Sequence, residues 1–395
     1  MAEDAGRIGV VLAGGGARGA YEAGALSVVL PRLARRGERP EVIVGTSVGA
    51  INTAYLAASA ADPPRDVAEA ARELWASIDF DDVLRPLLSP AELAIALGSV
   101  GGFFRIPGAH TESLLDPAPL AGTLRKLIPF ERIHANVQGG HLHTAAVVTT
   151  SAATSRTIVF HDGGGRVPSD QVRAIDYAQT RIGMDHVRAS AAIPAAFPAV
   201  RVRQPRGFAG WYFDGGTRLN TPIKPALALG ADRVIVIALN SLHPGRSRGR
   251  PDALDGVSQL AHAVLVDPLV HDVQTLATIN TAVRGRKDGE SDHRVIPYMV
   301  IAPDRRDVIG EIAARVYRKH YSGALAAARS PSLALLGHAL DAGKSAARGE
   351  LFSYLFFARE FAEALMQRGR EDAERWFRQR HDEGPWQLRR LRLAS

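Results

Sequence analysis

The chain has 395 residues, 46% hydrophobic and 23% charged, with a formal net charge of +7: ordinary globular composition with apolar material for a large core. It contains no cysteine, which excludes disulfides and thiolate metal sites and is compatible with a reducing compartment. No run of about 18 uninterrupted apolar residues occurs, and Glu3 and Asp4 stand where a secretory signal wants positive charge; a cytoplasmic protein that meets lipid only peripherally is therefore expected.

Arg7 to Ala13 (RIGVVLA) is a β-branched run that stops at Gly14 and predicts a buried strand. Gly14 to Gly19 is a glycine turn, and Ala20 to Arg35 has helical periodicity through Tyr21, Leu26, Val29 and Leu33. Glu41 to Val44 is a second strand, Gly45 to Gly49 a second sharp turn, and Ala50 to Ala60 a second helix. Two strand–turn–helix units in tandem predict a parallel sheet flanked by helices. Residues 62–135 read as helices broken at Pro63-Pro64, Pro90, Pro107 and Pro117. His141 to Thr150 predicts a strand, paired across a turn with Thr157 to Phe160, and Val172 to Thr180 predicts a helix.

Gly210 to Phe213 leads into Asp214-Gly215-Gly216, and Arg233 to Leu239 and Arg294 to Ile301 read as strands. Ser241 to Asp252 is a Gly/Arg/Pro stretch expected to be a mobile loop. From about Arg305 onward only helical patterns remain, such as Phe352, Leu355, Phe356, Arg359 and Glu363. The expected organisation is one α/β domain over residues 7–304 and a helical C-terminal region over 305–395.

The charge is local. Residues 201–250 hold nine basic residues (Arg201, Arg203, Arg206, Arg218, Lys224, Arg233, Arg246, Arg248, Arg250) and two acids (Asp214, Asp232), so the rest of the chain is neutral on balance. Such a patch is either solvated surface or a contact for an anionic membrane or substrate. No zinc-finger spacing and no aromatic RNP stretch accompanies it, so nucleic acid is not an expected partner.

Three motifs carry chemistry. Gly45-Thr46-Ser47-Val48-Gly49 fits G-x-S-x-G between a strand and a helix, the context of a nucleophile elbow. Small residues two places either side let the chain turn sharply and project Ser47 as nucleophile, while the helix aims its positive end at developing charge. Gly14-Gly15-Gly16-Ala17-Arg18-Gly19 also follows a strand and opens a helix. As a dinucleotide fingerprint it lacks an acid at the end of the second strand, and as a P-loop it lacks the Lys-Ser/Thr. It is then either a nest of N–H donors suited to an oxyanion or simply a tight turn. Asp214-Gly215-Gly216 alone is a turn signal, but a serine elbow needs a base and a carboxylate on a glycine turn can approach closely.

In this order the three motifs resemble the patatin-like phospholipase family, as does the Ser/Pro segment Ala189 to Pro198. The likeness covers roughly residues 7–240. The resemblance implies a three-layer α/β/α fold with a mostly parallel central sheet. It also implies lipid acyl-ester hydrolysis, of phospholipase A or lysophospholipase type, by a Ser–Asp dyad. Carried over residue by residue, Ser47 is the nucleophile and Asp214 the base. The oxyanion hole is formed at Gly14, Gly15 and Gly16, with Arg18 adding positive charge, and Gly45 and Gly49 flank the elbow. An acyltransferase or thioesterase on the same site, and a nucleotide-binding module using the Gly-rich loop, are the competing readings.

No cofactor or metal is expected. His141 and His143 alternate on a predicted strand and so share a face, but no third ligand accompanies them. Thirteen histidines offer partners for a Ser–His–Asp triad, yet none sits in a motif that positions it. The Phe352–Phe357 cluster reads as a core helix in preference to a membrane contact.

Overall fold

Every residue of the run Ile8–Leu12 is buried, as a strand covered on both faces requires. In the computed structural model, which describes residues 6–86, 115–194, 196–242, 267–283, 294–323, 330–340, 342 and 346–389, this run sits inside a sheet of nine strands. In chain order they are β1 (Ile8–Leu12), β2 (Pro40–Thr46), β3 (Thr144–Ser151), β4 (Thr157–Gly163), β5 (Ile175–Gln179), β6 (Val200–Val202), β7 (Gly210–Asp214), β8 (Arg233–Ile237) and β9 (Tyr298–Ile301). The spatial order is β9-β8-β1-β2-β3-β4-β5. The five strands from β9 to β3 are parallel to one another. Strand β4 runs antiparallel to β3, and β6 and β7 form a short antiparallel ribbon docked on β3. Successive strands lead from β1 toward β2 on one side and β8 on the other. The strand order thus reverses at β1, and the crevice at the carboxyl ends of such strands is where α/β sheets place their ligands.

Helices cover both faces: α1 (Gly19–Ala34), α2 (Val48–Ala58), α3 (Pro64–Ser77), α4 (Ala118–Leu127), α5 (Glu131–Gln138), α6 (Met184–Ser190) and α7 (Ile223–Ala228). Beyond β8 come α8 (Asp267–Val283), α9 (Val308–His320), α10 (Pro331–Ala339), α11 (Ala346–Ser353) and α12 (Arg359–Arg378). This is a three-layer α/β/α fold with a helical C-terminal region. Helix α12 buries Phe361, Leu365, Met366, Ala373 and Trp376 at helical spacing and keeps Arg359–Glu363 and Arg370–Glu374 pairs on its wet face. It lies along α1, where the Tyr21 hydroxyl donates to Asp372 Oδ2 at 2.9 Å. Phe352 and Phe356 are fully buried, but the core helix expected through Phe357 ends at Ser353, and Phe357 is only partly buried.

The helix expected over Val172–Thr180 is not there: Ile175–Gln179 is strand β5, parallel to β4. Val172 is 96% exposed. Ala174 then takes a positive φ of 54°, turning the chain into the sheet. The strand expected from Arg294 begins only at Tyr298. His141 is exposed just ahead of β3, and the proposed loop Ser241–Asp252 lies outside the described residues from 243 onward.

Candidate active site

Strand β3 brings the candidate residues together. Its edge facing β1 is shared between two strands. Over the first part, Val42 to Thr46 of β2 stand opposite Thr144 to Val148. At the next position the partner changes, and Asp214, the last residue of β7, stands opposite Thr149. Strands β2 and β7 therefore meet end to end, which sets Ser47, one residue past Thr46, against Asp214. Gly215 must pass directly over β3, since a Cβ there would lie 2.4 Å from the Val148 carbonyl oxygen.

Ser47 has φ 55° and ψ −123°, a backbone conformation that non-glycine residues rarely adopt and that costs about 1–3 kcal/mol. Packing on either side imposes it. A Cβ on Gly45 would lie 2.0 Å from the Gly49 carbonyl oxygen, and one on Gly49 would lie 2.3 Å from that of Leu12. The elbow is thus folded onto itself and onto the end of β1, with space for hydrogen only. The Ser47 N–H donates to Ser190 Oγ at 2.9 Å, and the Ser190 hydroxyl donates to the Val148 carbonyl at 2.6 Å. Ser190, at the end of α6, is a latch that ties the elbow to β3. It belongs to the Ser/Pro segment noted in the sequence, but its role there was not legible.

Asp214 is 4% exposed, and burial raises its carboxyl to about 7. Two neighbours oppose that rise: the Ser47 side chain beside the carboxylate, and the Gly216 N–H, which donates to Oδ1 at 2.6 Å. The backbone of Asp214 is held as well, its N–H donating to the Ala192 carbonyl at 2.8 Å. No histidine among the described residues hydrogen-bonds to Ser47 or Asp214. His186 is engaged by Gly183 N–H and the Gln204 carbonyl, and His134 by Asp162. Nor, among the described residues, do three His, Asp or Glu side chains gather as a metal site.

The Gly-rich turn follows β1, beside the elbow. The Gly14 N–H is used, donating to the Asn220 carbonyl at 3.1 Å on the loop that leaves Asp214. The Gly15 and Gly16 N–H groups have no hydrogen-bond partner among the described residues. Gly16, at φ 58°, lines the same cavity as Ser47. Arg18 points elsewhere. It is fully buried and its guanidinium is engaged away from Ser47: Nη2 meets Glu350 Oε1 at 2.8 Å, Nε donates to Ser353 Oγ at 2.8 Å and Nη1 to Asn240 Oδ1 at 3.0 Å.

A model of the patatin-like phospholipases matches residues 10–227, more than half of the chain, from within β1 to within α7. This chain is a member of the patatin-like phospholipase family. Among solved structures, the crystal structure of VipD from Legionella pneumophila is similar at 15% identity and a TM-score of 0.29, over 75% of this chain and 61% of that one. The chain thus spans about three-fifths of the length of that relative. No curated protein sequence matches.

In this patatin-like phospholipase Ser47 opens into a narrow cavity with a volume of about 60 Å³. Its walls are almost wholly apolar, with Ile51 of α2, Leu74 and Trp75 of α3, Leu124 of α4 and Phe197 among them. One polar feature lies beneath: Asn52 Nδ2 donates to Glu22 Oε2 at 2.7 Å and Trp75 Nε1 donates to Asn52 Oδ1 at 3.0 Å. Burial pushes the Glu22 carboxyl well above the usual carboxylate range. Walls this apolar offer contacts to a hydrocarbon group and few polar groups to a charged one. Among the described residues no helix is long and apolar enough to cross a membrane.

Proposed function

We propose that this chain is a serine lipid acyl hydrolase that cleaves carboxylic esters of phospholipids or lysophospholipids through a Ser47–Asp214 dyad. The observation that carries the reading is the meeting of Ser47 with a buried Asp214, where β2 and β7 join end to end, beside an apolar cavity that Ser47 lines. Ser47 Oγ attacks the ester carbonyl carbon as Asp214 takes its proton. The charge that develops on the carbonyl oxygen meets the uncommitted N–H groups of Gly15 and Gly16. Collapse breaks the C–O bond, and the departing alcohol takes the proton back from Asp214. Water then attacks the acyl-serine, giving its proton to Asp214, and the free acid leaves as Ser47 Oγ is reprotonated. The acyl chain occupies the apolar cavity throughout. The hydrolase domain extends over residues 7–304.

A fluorophosphonate probe should label Ser47, and Ser47→Ala should lose both labelling and ester hydrolysis. Products from a mixed lipid extract should be free fatty acid and lysolipid or its deacylated remainder. Labelling that persists in Ser47→Ala, or acyl groups recovered only on an acceptor other than water, would overturn the reading.

A further inference from the structure

The family match ends at residue 227, yet one wall of the cavity comes from far beyond it. Tyr354, Leu355 and Phe357, in the link between α11 and α12, line the same space as Ser47 and Gly16. The link turns tightly, the Leu355 N–H donating to the Phe352 carbonyl at 3.0 Å and the Phe357 N–H to that of Leu355 at 2.9 Å; Phe356 is wholly buried in the aromatic core, while Leu355 and Phe357 on either side of it are only partly buried and line the cavity. Two large apolar side chains are thereby held at a cavity surface by a third that is anchored beneath them. Phe356 is itself fixed, stacked on Phe361 at 4.8 Å between ring centres.

The same link is clamped to the Gly-rich turn. The Ala17 N–H donates to the Tyr354 carbonyl at 2.9 Å, and that carbonyl comes so close that a Cβ on Gly16 would lie 2.2 Å from it. Arg18 adds a buried ion pair to Glu350, hydrogen bonds to Ser353 and to the Glu350 carbonyl, and a stacking contact at 3.7 Å over the Tyr354 ring. All of these contacts stand in a water-excluded place, where directional bonds between fixed partners hold geometry tightly. The cavity wall and the proposed oxyanion donors are thus parts of one rigid unit.

We infer that residues 350–357 complete the acyl site: Leu355 and Phe357 set how long an acyl chain fits, and Glu350, through Arg18, positions the Gly15 and Gly16 donors. The inference rests on the dyad reading above. It assigns acyl-length selection to a segment outside the family match, so that members sharing the dyad can differ in chain preference. Glu350 is a positioning residue and Leu355 and Phe357 are specificity residues.

The test compares p-nitrophenyl butyrate with p-nitrophenyl laurate, with rates expressed per Ser47 titrated by fluorophosphonate. Phe357→Trp narrows the cavity and should lower the laurate-to-butyrate ratio of kcat/KM by about tenfold or more, since a few methylenes carry that much discrimination. Phe357→Ala should move the ratio the other way. Glu350→Gln should lower kcat by roughly tenfold or more on both esters with KM nearly constant, and Glu350→Asp should recover part of it. If Glu350→Gln fails to fold, the two Phe357 variants still decide. Wild-type ratios in both Phe357 variants, with Ser47 fully titratable, overturn the inference and leave the dyad standing. A wild type that hydrolyses esters without labelling at Ser47 overturns the dyad itself, and the inference with it.

Discussion

In the proposed dyad Asp214 is a weak base placed where it becomes a useful one. A free aspartate titrates near 3.9 and would hold a serine proton poorly. Burial lifts Asp214 to about 7, so at neutral pH much of it is still ionised but far more basic. Activity should therefore rise with pH along a limb centred near 7, read as kcat/KM against pH. The same shift has a stability sign. A carboxyl whose folded pKa is raised favours the folded state below its unfolded pKa, and that contribution is lost as pH rises through about 7. About three units at 1.36 kcal/mol each make the loss about 4 kcal/mol at most. Asp214→Asn removes the buried charge while keeping an acceptor for the Gly216 N–H. It should be inactive, yet its Tm should exceed the wild type's at pH 8 and approach it at pH 4. His186→Ala and His134→Ala should remain active. A folded but dead histidine variant, or a flat pH profile across 5 to 9, would point to another base.

At the scale of the element, the elbow is held by a contact that crosses the sheet. Ser190→Ala strands the Ser47 N–H and the Val148 carbonyl without their shared partner. Leaving buried polar groups unmade costs about 1–3 kcal/mol each, so urea unfolding should show a loss of that order. Ser47 should also drift from its positive-φ conformation, lowering kcat by roughly tenfold or more. An unchanged kcat would reduce Ser190 to a packing role.

What was legible in the sequence follows the same division. The β1, β2 and β8 runs announce themselves because strands buried on both faces must be continuously apolar. The glycines at 45 and 49 are legible because the turn leaves no room for anything else. The Val172–Thr180 segment was misread because a nine-residue stretch is too short for periodicity to separate helix from strand. The ribbon β6–β7 places Asp214, but β6 is only three residues long and carries no pattern of its own. The clamp between Arg18 and Glu350 spans 332 positions, and nothing local in either segment signals the other.

For the whole molecule, folding redistributes the positive charge seen between residues 201 and 250. Arg233 is paired with Glu38 at 2.7 Å and Lys224 lies 3.8 Å from Asp170. Arg246, Arg248 and Arg250 lie outside the described residues. Arg201, Arg203, Arg206 and Arg218 are exposed and have no ion-pair partner among the described residues. Arg201 stands directly opposite Trp211 in the β6–β7 ribbon, and directly opposed residues share a face. Trp211 is 54% exposed, while Val202 and Tyr212 beside the pair turn inward.

A tryptophan among arginines, three residues before Asp214 on the same strand, suits the boundary of an anionic membrane, where indole rings settle and cations find lipid phosphates. Each arginine that reaches such a surface contributes about 1 kcal/mol. Three or four of them would give reversible docking and not anchoring. The protein should co-sediment with vesicles containing anionic lipid more than with neutral ones, and the preference should fade as salt shortens the screening length to about 3 Å near 1 M. Trp211→Ala should weaken binding to both vesicle types, and Arg201→Ser with Arg203→Ser should remove the preference for anionic ones. Hydrolysis of a water-soluble p-nitrophenyl ester gives the control, because it needs the dyad but no surface. If the arginine variants bind anionic vesicles as the wild type does, the ribbon is solvated surface and lipid reaches Ser47 by another face.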